Sequence, residues 1–251
     1  MALQKMTHPE FTEKLVELFD RQMDEPPSPW AVSEKLLEKI TPSGEMKPFY
    51  GATTVIMLSR KDNEACLAVR DRLFGEHGDL LVALDPDTYH LTIHALSNVY
   101  NVANDNELIK RSIQDTEPKV EAEFRRIAER YQGRTIRMRA LGVSTGGKDI
   151  IGLKFVPCSE EDSLLLTDLF ERMEAVYPLG ERYVPHVSLG YHQIREHSPE
   201  EVRGLYDTLR RINRELELTI ELEVAELVYQ HHYHMNDFRD VFAVKEFIRN
   251  G

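Results

Sequence analysis

His90-Leu91-Thr92 and His186-Val187-Ser188 are two short strings, 96 residues apart, that each set a hydroxyl side chain two residues after an imidazole. Apolar residues fill the alternate positions of Tyr89–Ile93 and Pro185–Leu189. That alternation predicts half-buried strands, and side chains two apart on a strand share a face. Each string therefore offers an imidazole beside a hydroxyl. Two such strands facing one cleft supply a proton acceptor, a proton donor and two hydroxyl hydrogen-bonders. Those groups suffice to break a phosphoester by acid–base catalysis without a metal.

The elements that must position these strings can be read along the chain. Residues 8–23 carry apolar side chains at helical spacing, and residues 31–40 predict a second short helix beyond the break at Glu25-Pro26-Pro27-Ser28-Pro29. Together, residues 1–45 form a helical extension ahead of a body at 46–251. Within the body, Thr53–Leu58 reads as a strand, 63–75 as a helix capped by Asp62, and Leu80–Leu84 as a strand before the first histidine strand at 89–96. Residues 104–132 are helical, with Pro118 able to split them. Ile136–Val143 and Ile150–Val156 read as strands joined by a glycine-rich hairpin turn, followed by a helix at 160–176 and the second histidine strand at 184–191. A helix at 199–216, capped by Ser198 with Pro199 in its first turn, precedes strands near 219–229 and 239–247.

The order strand, helix, histidine strand occurs twice. Leu58 and His90 are 32 residues apart, as are Lys154 and His186. The expected fold is therefore α+β: two pseudo-symmetric lobes of antiparallel sheet with outer helices around a central cleft. The chain has ten histidines, so roughly one His-x-Ser/Thr match is expected by accident. The shared context of the two strings, and not the strings alone, gives them weight.

Composition bounds the partners. The 251 residues are 41% hydrophobic with a formal net charge of −12, which disfavours long nucleic acids, whose affinity depends on phosphate contacts. A small or terminal phosphoester needs only local positive charge. Two cysteines, Cys66 and Cys158, argue against a disulfide framework and for a reducing compartment. The first residues lack the apolar core of a signal peptide, and no apolar run reaches the length of a membrane span, so a cytoplasmic location is expected.

With the two motifs, the chain resembles the two-histidine (2H) phosphoesterase superfamily, whose LigT-like members include cyclic phosphodiesterases acting on RNA termini or nucleotides. The resemblance runs over roughly residues 49–247 and rests on His90, Thr92, His186 and Ser188; Tyr89 and Tyr191 are also similar to the family. About 45 N-terminal residues are extra to its minimal members. The resemblance implies hydrolysis of a 2′,3′-cyclic phosphate or related nucleotide or RNA-terminal ester, with no cofactor and no metal. The two histidines act as general base and general acid, and the two hydroxyls hold the non-bridging oxygens.

Secondary candidates come from strand parity and residue type. His94 shares parity with His90 and Thr92, and His192 with His186, which points both toward the cleft rim. Tyr50 and Tyr229 could stack on a base, although strand aromatics more often belong to the core. Arg139, Lys154 and Arg137 sit on strands and could meet phosphate. Three rival readings exist. Gly142–Lys148 fits most of a phosphate-binding loop, but Asp149 stands where Ser or Thr should hold magnesium and a strand follows instead of a helix. His231-His232-Tyr233-His234, with Asp237 or Asp240, could serve a metal-dependent hydrolase, although adjacent strand residues alternate faces and an exposed loop is the plainer reading. A non-catalytic nucleotide- or phosphoester-binding protein is the third.

Overall fold

The computed structural model describes residues 6–24, 26–145, 149–180 and 183–248. Helix α1 (His8–Asp24) buries Phe11, Leu15 and Met23. Beyond the proline-rich break, the helix expected at 31–40 contracts to the single turn α2 (Glu34–Leu37) around buried Leu36. There follow β1 (Gly51–Met57), α3 (Arg60–His77), β2 (Leu81–Ala83), β3 (His90–Asn98) and α4 (Asn106–Tyr131). The second half comprises β4 (Thr135–Ser144), β5 (Ile150–Pro157), α5 (Glu160–Val176), β6 (His186–His192), α6 (Pro199–Glu215), β7 (Thr219–Glu223), β8 (Leu227–His234) and β9 (Asp237–Ala243).

Local chemistry explains several boundaries. Ser59, not Asp62, caps α3: its Oγ accepts from the Asp62 N–H. The Asp62 carboxylate accepts from Ser59 Oγ and from the Glu221 N–H, tying the helix start to β7. Ser159 and Asp162 repeat the device on α5, where Asp162 accepts from the Arg137 N–H of β4. Such caps contribute on the order of 1 kcal/mol each. Ser198 and Glu201 form a capping box on α6, with Pro199 in the first turn as expected. Pro118 does not split α4. It sits on the exposed face, where water can take the carbonyl it leaves without a donor.

The strands form two sheets, β3-β1-β8-β9 and β2-β6-β5-β4-β7. Every pairing is antiparallel, so the fold is α+β with two sheets, as the sequence predicts. The repeat is visible: β1-α3-β3 and β5-α5-β6 each end with the histidine strand paired to the strand that opened the unit. The strand β2 leaves its own unit and pairs with β6 of the other sheet. The strand expected at 219–229 is two strands, because the turn Val224–Glu226 carries the chain from one sheet to the other. Phe11, Leu15, Met23, Trp30, Leu36 and Ile40 belong to the same apolar core as the sheets, so the segment before β1 is packed into the body. Among the described residues no helix is long and apolar enough to cross a membrane.

Candidate active site

The two histidine strands bring their strings to one place. On β3, His90 lies opposite Met57 and Thr92 opposite Val55 of β1. On β6, His186 lies opposite Lys154 and Ser188 opposite Gly152 of β5. His90, Thr92, His186 and Ser188 all line a single cavity of about 360 Å³. That volume lies at the small end of ligand sites, which run from roughly 300 to 1,000 Å³.

The carbonyl two residues upstream faces each ring. His186 Nδ1–H donates to the Val184 carbonyl at 2.8 Å, which leaves Nε2 as the free acceptor. The Thr88 carbonyl favours the charged form of His90, although His90 Nδ1 makes no well-formed hydrogen bond. Burial pushes the His90 pKa down to about 4. Burial pushes His186 down to about 3, and the Lys154 ammonium adds to the effect, with smaller contributions from His90 and Lys39. Both imidazoles are therefore neutral at pH 7 in the protein alone. An anion bound between them would favour protonation of one. Lys154 is itself pushed down to about 8 by burial, with Asp149 opposing.

A third imidazole joins the cavity. The segment 231–234 is not an exposed loop but the end of β8, and only His232 of its three histidines enters the cleft. His232 Nδ1–H donates to the Phe49 carbonyl at 2.7 Å, and its ring stacks on Phe49 at 5.4 Å. Burial lowers its pKa to about 4. Gly51, directly opposite on β1, makes this seating possible, because a Cβ there would lie 2.6 Å from the His232 ring. His231 faces the other way and meets Glu117 at 3.1 Å, while His234 Nδ1 accepts from the Asn236 N–H. The metal-site reading of this run is thus corrected: the three rings diverge, and among the described residues no three His, Cys, Asp or Glu side chains gather as a metal site.

Parity misplaced His94 and His192. Along β3, Thr54 pairs with His94 but Val55 with Thr92, so Ile93 is an extra residue and His94 turns to the opposite face. There its Nε2 meets Glu174 Oε2 at 2.7 Å and its ring packs on Phe170. Along β6, Ile151 pairs with Gly190 but Gly152 with Ser188, so Leu189 is extra and His192 turns away. His192 is 1% exposed and packs against Trp30.

The remaining candidates divide. Tyr191 lines the cavity, and Lys154 lies beside His186. Tyr50 packs on His231 and Tyr233, outside the cavity lining, and Phe49 takes the cleft position beside it. Tyr229 is core. Arg139 is exposed at the pairing of β4 with β7, and Arg137 lies 3.8 Å from Glu221, so neither meets the cavity. Residues 146–148 of the glycine-rich turn lie outside the described residues, while β4 and β5 pair on either side of them as a hairpin requires. Sequence reasoning placed His232 only in the metal-site reading and missed Lys35, Lys39, Phe49, Tyr100 and Phe238, which all line the cavity with it. The i, i+4 spacing of Lys35 and Lys39 on a short predicted helix was the one available signal, and it carried no direction.

No family model and no curated protein matches the sequence. Among solved structures, a conserved protein of unknown function from Agrobacterium tumefaciens superposes with a TM-score of 0.65 at 15% identity, covering 86% of this chain and 94% of that one. A Thermus thermophilus protein gives 0.48 at 13% identity, over 77% of this chain and 97% of that one. Escherichia coli LigT, in a structure with 3′-AMP, gives 0.45 at 10% identity, over 78% of this chain and 97% of that one. At 15% identity the likeness to the Agrobacterium tumefaciens protein shows a shared fold, in this chain two antiparallel sheets with flanking helices.

Proposed function

We propose that the chain is a phosphoesterase that hydrolyses a 2′,3′-cyclic phosphate, or a related nucleotide or RNA-terminal ester, by paired-histidine acid–base catalysis. The observation that carries this reading is the meeting of both imidazole–hydroxyl pairs in one cavity. His186 holds its Nδ1 proton on Val184 and presents a neutral Nε2. In the reaction that nitrogen takes a proton from water as the water oxygen bonds to phosphorus. His90, the less depressed of the two, takes up a proton with the bound anion and delivers it to the departing ribose oxygen as the P–O bond breaks. Each transfer contributes about 10²–10⁴ in rate. Thr92 and Ser188 donate hydrogen bonds to the non-bridging oxygens as charge accumulates. The chain's own groups carry out both proton transfers, and the cavity suits a mononucleotide-sized ester better than a polymer.

The test is turnover of a panel of 2′,3′-cyclic nucleotides by the purified chain, followed by phosphorus NMR. The expected result is a single phosphomonoester product, lost in H90A and in H186A with the fold intact by circular dichroism. A double histidine variant that turns over substrate at the wild-type rate overturns the reading.

A further inference from the structure

The segment ahead of β1 reaches the histidine cavity. Lys35 and Lys39, on and just after α2, line it together with Tyr100 and Tyr191. Lys39 Nζ lies 5.3 Å from the centre of the Tyr191 ring and 5.8 Å from that of Tyr100, and Lys35 Nζ lies 5.7 Å from Tyr100. The Tyr100 hydroxyl donates to the Lys35 carbonyl, which fastens this segment to the end of β3. Neither lysine makes an ion pair among the described residues. Asp149 is the one acidic side chain in the lining. Lys154 is buried beside His186 and does not line this cavity, so Lys35 and Lys39 are the two ammonium groups in the lining, in a chain of net charge −12. In the scheme above the scissile phosphodiester is held by Thr92 and Ser188, which leaves both lysines without a task in the cleavage. Ammonium groups facing aromatic rings, with no carboxylate partner, keep much of their attraction for an incoming anion.

We propose that Lys39, assisted by Lys35, forms a second phosphate subsite in the histidine cavity, so that the substrate carries a terminal phosphate in addition to the phosphodiester that is cleaved. This inference rests on the reaction proposed above and narrows its substrate class to a nucleotide with two phosphate groups. Lys39 holds the second phosphate as a point charge. Tyr100 and Tyr191 fix the ammonium between them, so the subsite is formed before the ligand arrives.

Adenosine 2′,3′-cyclic phosphate and its 5′-phosphorylated form are compared as substrates of the wild-type chain, K39M, K39R and K35M. Binding of adenosine 2′-monophosphate and adenosine 2′,5′-bisphosphate is measured in parallel by calorimetry, which needs no turnover. The expected result is at least a tenfold preference of wild type for the doubly phosphorylated partner of each pair. In K39M that ratio falls to near one, K39R restores most of it, and K35M lowers it partly. Equal handling of both partners by wild type overturns the subsite, as does a K39M variant that keeps the preference. If neither cyclic compound is hydrolysed while the bisphosphate binds tenfold tighter through Lys39, the reaction assignment fails and the subsite stands. If both are hydrolysed with equal kcat/KM and bound equally, the reaction stands and the subsite fails. Should K39M not fold, the wild-type ratio and the K35M ratio decide.

Discussion

Ile93 and Leu189 hold the same place in the two histidine strands: each is the extra residue of a β-bulge, one step past the hydroxyl of its string. Both are fully buried. Beyond the bulge the alternation inverts, so the fifth residue after each histidine, Ala95 or Tyr191, lines the cavity, while His94 and His192 face outward into packed surroundings. The repeat thus extends below the order of elements to a single inserted residue. A bulge re-aims side chains beside a site, and here it keeps one imidazole and one hydroxyl per strand in the cleft.

That inversion makes His94 a structural residue. Its bond to Glu174 steadies a carboxylate that also accepts from the Leu179 and Gly180 N–H groups ahead of β6. H94A should lose about 1–3 kcal/mol of stability and change KM by less than twofold. Y191A should raise KM severalfold, because Tyr191 lines the cavity. Thermal melts and Michaelis curves for the two variants separate the roles. A KM effect in H94A as large as that in Y191A would return His94 to the cleft.

Thr92 and Ser188 touch the reacting phosphoryl group and move no proton in the proposed scheme. T92V and S188A should each lower kcat by about 10²-fold, within the range for loss of one transition-state donor, and less than loss of either histidine. A histidine variant that retains more activity than T92V would invert the assignment of roles.

The pH profile follows from the depressed imidazoles. His90 and His186 titrate near about 4 and about 3 in the protein alone. Above that range the singly protonated pair falls tenfold per pH unit. Between pH 5.5 and 8, kcat/KM should therefore decline steadily as pH rises. The decline in kcat should be shallower, since the bound anion favours the charged ring. The Lys154 ammonium depresses His186, the proposed base, whereas burial and the Thr88 carbonyl set His90, so K154M should leave the descending limb, which the acid His90 governs, where it is. A flat kcat/KM profile, or a displaced descending limb in K154M, would contradict this account.

Much of the site could be read before the fold was in view, and the reason is local. His90, Thr92, His186 and Ser188 precede their bulges, where simple alternation still holds. His94 and His192 follow them, and an unpaired residue such as Ile93 or Leu189 leaves no signature in composition. Helices bounded by Ser198 and Pro199 were legible because a cap is a short-range interaction. The handover at Val224–Glu226 was not, because two strands that continue almost in line look like one. Lys39 and His232 reach the cavity through tertiary packing of α2 and β8, which no window of sequence reports. Residue type alone favours Tyr50, and the register of the chain entering β1 places Phe49 in the cleft instead.

Four histidines tie stability to pH. His90, His186, His192 and His232 all have pKa values pushed down by burial, to between about 3 and about 4. Unfolding returns each ring to its ordinary value near ~6.5. The unfolded chain therefore binds more protons between pH ~6.5 and those depressed values, and stability falls as pH falls through that window. It is fully present above it. Each histidine contributes a slope of about 1.4 kcal/mol per pH unit inside the window. The melting temperature should hold steady from pH 8 to 7 and drop steeply from pH 6 to 5, and H192F should flatten the drop. A melting temperature independent of pH over this range would show that folding does not lower these pKa values.

Gly51 provides the last test, since it bears on both packing and chemistry. A Cβ at this position would lie 2.6 Å from His232 Cε1 and 2.7 Å from the Ser97 carbonyl oxygen. The ring is itself anchored through Nδ1 to Phe49, so it has little room to withdraw. G51A should cost about 1–3 kcal/mol, the usual range for overpacking, and lower the melting temperature by several degrees. Displacing His232 and Phe49 also reshapes the cavity wall facing His90, so kcat/KM should fall by more than the stability loss alone accounts for at a temperature where the variant is fully folded. G51A/H232A relieves the clash with the ring but not the one with Ser97. The double variant should therefore regain part of the melting temperature lost in G51A relative to H232A alone. Strict additivity of the two substitutions would mean that Gly51 and His232 do not press on one another.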